Sequence, residues 1–199
     1  KLLLFYKADI NARDGEGRTP LHIANMHSNA NIIELLLKYH NKIEKSDELN
    51  YTPLMIAVSQ NNTKDIDMLL KNKAQVNQRS IYSSPLHRAC QKPNNVDVIK
   101  KLLDHNADVN LDVGKCCTPL HLACKLPNNE RVVKLLLEYH ADVNVRTTYN
   151  RSPLHLACKL PNNERVVKLL LEYHADVNVR NNNNVCPLYC ACQQLNNEK

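Results

Sequence analysis

Apolar residues in this chain fall in short clusters between polar breaks, and the clusters keep helical spacing. Between 130 and 139, Val132, Val133, Leu135, Leu136 and Leu137 mark the buried side of one helix. Glu130 and Lys134 stand at i,i+4 on it, a pair worth a few tenths of a kcal/mol. Upstream, Thr118-Pro119-Leu120-His121 opens another helix, predicted to run to about Leu126. The Thr hydroxyl suits an N-cap, and Pro after it has its φ already set and no donor to waste. Pro127-Asn128-Asn129 separates the two helices, and Ala141-Asp142-Val143-Asn144 leads into a turn-rich link.

This unit returns along the whole chain. Its opening tetrapeptide recurs as Thr19-Pro20-Leu21-His22, Thr52-Pro53-Leu54-Met55, Ser84-Pro85-Leu86-His87, Ser152-Pro153-Leu154-His155 and Cys186-Pro187-Leu188-Tyr189, a period of 32 to 34 residues. The stretch from Pro119 to Arg146 is identical to that from Pro153 to Arg180 over 28 residues. Such a period means stacked helix pairs rather than one globular core, because a single pair cannot bury its own apolar side. Residues 1–9 align with 134–142, so they read as a second helix whose apolar partners are partly missing; after Cys186 only a first helix is expected.

Composition narrows the function. The net charge of +6 favours an acidic partner slightly, and interleaved aromatics and a recognition motif for nucleic acid are lacking. No apolar run approaches the ~18 residues of a membrane span, so no membrane insertion is expected. Three Gly leave no room for a phosphate loop or a dinucleotide fingerprint, and no cofactor is expected. Of the eight Cys, four (Cys90, Cys124, Cys158 and Cys192) repeat every 34 residues. Adjacent stacked helices sit about 8–10 Å apart, beyond the ~7 Å reach of a disulfide. The four are therefore expected as a column of buried, reduced thiols, which suits a cytoplasmic compartment.

Taken together, these residues resemble the ankyrin repeat: a hairpin, Thr-Pro-Leu-His, a short helix, a loop, a Val/Leu-rich helix and an Ala-Asp-Val-Asn exit. The resemblance covers essentially the whole chain. It implies an all-α ankyrin-repeat solenoid of antiparallel helix pairs with β-hairpin or turn fingers. The units run as the end of a preceding repeat at 1–16, full repeats at 17–49, 50–81, 82–115, 116–149 and 150–183, and a truncated repeat at 184–199. The family's Gly after the second helix is replaced by Lys7, His40, Lys73, Asn106, His140 and His174, and its hairpin Gly, kept at Gly17, by Asn50, Asn150 and Asn184. Positive φ is expected at these sites, with strain of up to about 1 kcal/mol at some.

Three constellations invite chemistry. His22, His87, His121 and His155 occupy one slot on different repeats, so they read as structural rather than catalytic. Cys186, Cys190 and Cys192, with Cys116 and Cys117 elsewhere, lack the paired spacing of a zinc site, and no metal is expected. Asn11, Asn77, Asn110, Asn144 and Asn178 hold the position at which the family resemblance implies possible asparaginyl hydroxylation. Each is expected to bond its own turn instead.

The resemblance implies a non-catalytic protein-recognition or scaffold module. Its partner would lie on the concave side formed by fingers and first helices. The alternative is a targeting array of a larger multidomain protein: a ubiquitin-ligase adaptor, a channel, or a latrotoxin-like secreted toxin. The family's variable contact positions carry over to Arg18, Met26, His27, Tyr51, Tyr82, Lys92, Lys115, Lys125, Leu126, Tyr149, Arg151, Lys159 and Leu160, with Glu16, Ser59, Gln60 and Gln91 beside them. Tyr and Arg anchor interfaces, and the Lys excess favours a protein partner with an acidic surface.

Overall fold

The computed structural model describes residues 1–39, 46–114 and 117–195. The described elements are all helices: α1 Leu2–Phe5, α2 Pro20–Met26, α3 Ala30–Tyr39, α4 Pro53–Gln60, α5 Thr63–Lys71, α6 Pro85–Cys90, α7 Val96–Asp104, α8 Pro119–Ala123, α9 Glu130–Glu138, α10 Pro153–Ala157, α11 Glu164–Glu172 and α12 Pro187–Leu195. The even-numbered helices α2 to α12 stack in one row, each opened by a proline at its first position. The odd-numbered helices α3, α5, α7, α9 and α11 stack beside them in a second row, each packed on the helix before it. The core is one apolar layer between the rows, from Leu21 and Ile33 through Ile66, Leu69, Ile99, Leu102, Val132 and Leu136 to Val166 and Leu170.

The fingers between helix pairs are turns rather than strands. Asp14 N–H donates to the Arg18 carbonyl (3.1 Å), Asp47 to Tyr51 (2.9 Å), Thr147 to Arg151 (3.0 Å) and Asn181 to Val185 (3.0 Å). Strand-like pairing among the described residues is a single bridge, Val113 with Cys117. Helix α8 stops at Ala123 instead of reaching Leu126. Lys125 and Leu126 N–H bond three residues back, to Leu122 and Ala123, as the chain tightens into the inserted Pro-Asn-Asn turn. Helix α4, with no insertion after it, runs on to Gln60.

The repeated His is a joint between neighbours. In His22, His121 and His155, Nδ1 accepts the backbone N–H of its own cap residue, Thr19, Thr118 or Ser152, at 3.1–3.2 Å. Nε2 therefore carries the proton. It donates to the carbonyl of the next finger: Tyr51 at 3.0 Å, Arg151 at 3.1 Å and Val185 at 2.9 Å. His87 does the same between Ser84 Oγ (2.7 Å) and the Cys117 carbonyl (2.8 Å). All four rings are fully buried. Met55 breaks the series. The finger that it would reach is one residue short, and there Ser80 itself donates both N–H (2.7 Å) and Oγ–H (3.1 Å) to the Ser83 carbonyl.

Asn77, Asn110 and Asn144 form a second row of joints, and for these three the expectation of a local turn bond is corrected. Asn77 Nδ2 donates to the Asn106 carbonyl (3.0 Å) and its Oδ1 accepts Asp108 N–H (2.7 Å), both one helix pair onward. Asn110 reaches His140 and Asp142 in the same way, and Asn144 reaches His174 and Asp176. The carbonyls that they use belong to the residues that replace the family's Gly. Lys7, Lys73, Asn106, His140 and His174 have φ of 61°, 63°, 64°, 65° and 65°, and Asn50, Asn150 and Asn184 in the fingers 59°, 57° and 60°. His40 lies outside the described residues. On the outer side of the second helices, Glu130 pairs across to Arg165 (3.2 Å) while Lys134 pairs with Glu138 (3.8 Å), so the Glu130–Lys134 pair expected from spacing is replaced. These exposed pairs each contribute only about 0–1 kcal/mol.

The cysteine column is corrected at its far end. Cys90 and Cys124 are buried and Cys158 is half-buried, but Cys192 is exposed and Cys190, two residues earlier on the opposite side of the helix, is buried instead. Leu2 and Leu3 are largely exposed while Leu4 packs against the core.

Burial holds the pKa of His22, His87, His121 and His155 below the ordinary 6.5, that of His121 at about 4; the carbonyl bond pulls upward without overcoming it. A depressed folded pKa gives stability that is complete above pH ~6.5 and is lost as pH falls towards ~4. For His121 the full span corresponds to roughly 3 kcal/mol. Urea melts from pH 7 to pH 4.5 should show a falling midpoint; a midpoint that rises with acid would contradict the neutral, buried tautomer. A second expectation concerns the left-handed sites. His140→Gly and His174→Gly should each raise stability by about 0.5–1 kcal/mol, since Gly removes the Cβ clash at a small cost in chain entropy. Loss of stability in both would mean that the side chains hold these turns.

Candidate functional site

The first-helix row and the fingers share one side of the array, and the expected contact residues distribute over it unevenly. Tyr51, Met26, Arg18, Glu16, Ser59 and Gln60 come together in a groove of about 360 Å³ that runs over α2, α4 and α6, with Asp47, Met55, Ile56 and Arg88 completing it. Gln60 Nε2 closes one wall by donating to the Met26 carbonyl (2.7 Å). Arg18 is already engaged, with Nε on Asp14 (2.8 Å) and a terminal nitrogen on Glu16 (2.8 Å). Asp14 is held below the usual carboxylate range by the Arg18 hydrogen bond. Asp47 accepts the N–H groups of Leu49 (3.0 Å) and Tyr51 (2.8 Å) on one oxygen.

Arg88 is the residue that sequence reasoning missed. Its guanidinium lies 4.5 Å from the centroid of the Tyr51 ring, a cation–π stack across two helix pairs. Among the described residues it forms no ion pair and no hydrogen bond, and its Nε is buried without a partner. An unsatisfied buried donor costs about 1–3 kcal/mol. The signal was available. The same slot holds Ile23, Ile56, Leu122 and Leu156 in other units, so a charge at Arg88 interrupts an apolar column.

Farther along, Arg151 stacks on Tyr149 at 5.8 Å, and Tyr149 is about half exposed. Lys125 is exposed, Lys159 and Leu126 half-buried. Burial first, then the Lys159 and Arg151 charges, lower the His155 pKa, which places those two cations beside the same ring. Tyr82 is the most exposed of the three tyrosines and its ring rests over Gly114, whose φ of 49° and bare Cα leave room for it. Lys92 is not free: its ammonium donates to the Ser59 carbonyl one helix pair back. His27 and Leu160 lie apart from the groove. His27 lines a hollow with Ala12, Ile23 and Ile32, and Leu160 lines another with Cys158, Val167 and Ala191. Lys115 and Cys116 lie outside the described residues.

Among the described residues no catalytic constellation gathers. His22, His121 and His155 spend both ring nitrogens on backbone joints, and His87 spends its pair on Ser84 Oγ and the Cys117 carbonyl, so none of the four is available as a base. Among the described residues no three His, Cys, Asp or Glu side chains converge as metal ligands, and no helix is long and apolar enough to cross a membrane.

Comparison with known proteins agrees along the full length. The family model described as "Ankyrin repeats (3 copies)" matches residues 1–80, 81–147 and 120–199. The crystal structure of the human ASB11 ankyrin repeat domain superposes with a TM-score of 0.80 at 26% identity, covering 96% of this chain and 84% of that one. No curated protein matches.

Thiol chemistry follows from the packing. Burial pushes the Cys90 and Cys124 thiols far up and the Cys158 thiol up to about 11, so none is a ready nucleophile. A disulfide reagent should modify Cys192 quickly in the native protein and reach Cys90 and Cys124 only after denaturation. Rapid native labelling of Cys90 would contradict the packing.

Proposed function

The chain belongs to the ankyrin-repeat family, and from that premise we propose that it recognises a protein partner through the concave side built from fingers and first helices. Ankyrin repeats are protein–protein interaction modules and the fold is typically non-catalytic. The observation that supports this surface is the pairing of exposed tyrosine with arginine on it, Arg151 with Tyr149 above all. Stacking holds both side chains in place before binding, which lowers the entropy lost on association. Aromatic and Arg side chains are also the usual interface anchors.

The partner is expected to carry an acidic surface. Arg18 and Lys92 are engaged within the array, so the steering charge falls to Lys125, Arg151 and Lys159 in the later units, with Arg88 nearer the start. The free thiols suit a reducing compartment.

Capture of partners from a lysate, identified by mass spectrometry, supplies the ligand for the decisive measurement. Tyr149→Ala combined with Arg151→Ala should weaken binding by roughly 2 kcal/mol or more and leave the melting curve nearly unchanged. Glu138→Ala, on the outer side of α9, should leave binding intact. Equal losses from both changes would place the partner elsewhere.

A further inference from the structure

Within the concave face Arg88 differs from every other residue in its slot. Buried N–H groups nearly always have an acceptor. Here the Nε–H has none, and the two carboxylates that line the same groove are already occupied, Glu16 by Arg18 and Asp47 by its own turn. Tyr51 fixes the guanidinium by its face. The Nε–H is closed off within the array, but stacking uses the face alone and leaves the terminal N–H pair, which bonds nothing among the described residues, in the plane that receives a carboxylate end-on. Beside the fork lie Met26, Met55 and Ile56, which provide apolar contact and exclude water, so a charge-assisted bond formed there is strengthened.

We propose that this groove takes an acidic side chain, Asp or Glu, of an extended partner segment, bound in plane by Arg88, with an adjacent apolar side chain of the partner against Met26 and Ile56. This rests on the concave face being the binding face. The groove's volume of about 360 Å³ matches one or two side chains rather than a folded domain. A phosphorylated residue fits less well. Sites for phosphate gather several cations, whereas here a single uncommitted guanidinium shares the groove with two carboxylates.

The test is selection of a displayed library of random twelve-residue peptides on the whole chain. Enriched peptides are then synthesised with Glu, Gln or phosphoserine at the selected acidic position. Fluorescence anisotropy follows binding to the unmodified protein, to Arg88→Gln, to Arg88→Lys and to the Tyr149→Ala, Arg151→Ala double variant, each checked by its melting curve. On the unmodified protein the Glu peptide should bind at least about tenfold more tightly than its Gln form. Arg88→Gln should abolish that difference, and Arg88→Lys, which keeps the charge without the stacked fork, should retain part of it. A Gln penalty that is the same on Arg88→Gln, or tighter binding of the phosphoserine form, would overturn the inference. Peptides lost on the double variant but indifferent to Arg88→Gln would remove Arg88 and spare the concave face. Peptides indifferent to both, or a selection that enriches none, would count against both readings.

Discussion

Everything in this array depends on how one helix pair is fastened to the next. Apolar contact supplies most of the energy but little direction, since leucine layers slide and tilt at small cost. The buried histidine supplies the direction. One ring nitrogen is set by the cap of its own helix and the other by the carbonyl of the following finger, so a single tautomer fixes helix, turn and neighbour together. The asparagine joints do the same at the opposite end of each pair, reaching the strained turn that follows the next second helix. At the α6–α8 and α8–α10 interfaces both joints occur together, His87 with Asn110 and His121 with Asn144, and there they set the register of a core that would otherwise tolerate several.

Much of this was legible in the sequence. Six prolines in phase named the first helices, and Val/Leu clusters named the second. The replacement of Gly by Lys73, His140 and His174 foretold left-handed backbone, because spacing fixed the turn regardless of the residue in it. What spacing does not carry is the identity of a neighbour one period away. Asn110 looked like a residue serving its own turn, and only stacking shows that His140 is the residue it holds. Glu130 likewise had a plausible partner at i,i+4 and took Arg165 instead. Cys192 kept the period of the thiol column, but burial depends on what covers a position, and Cys190 is the covered one. On the concave side the carried-over positions located Tyr51 and Tyr149. They omitted Arg88, because that slot holds apolar residues in the other units.

Positions that serve the stack and positions left exposed differ in consequence. Positions that point between helix pairs repeat closely, since each must fit the same kind of neighbour. Positions on the fingers differ more, although Lys125 and Lys159, and Leu126 and Leu160, coincide within the stretch of 28 identical residues. Of the cations there, Arg18 is spent on its own finger, Lys92 bonds a backbone carbonyl, Arg88 and Arg151 lie on a tyrosine face, and Lys125 stays exposed.

Met55 gives one interface a different character from the other four. Where His22, His87, His121 and His155 make each of their joints sensitive to protons, the α4–α6 contact is closed by a thioether and by a serine that satisfies its own turn. Neither titrates. A mildly acidic setting would therefore loosen the array on both sides of the α4–α7 segment and leave that segment joined. The groove bearing Tyr51 and Arg88 lies over this contact and also over the α2–α4 joint, where His22 bonds the Tyr51 carbonyl. Its α4–α6 side is thereby insulated from protonation, while the side built by Glu16, Arg18 and Met26 is not.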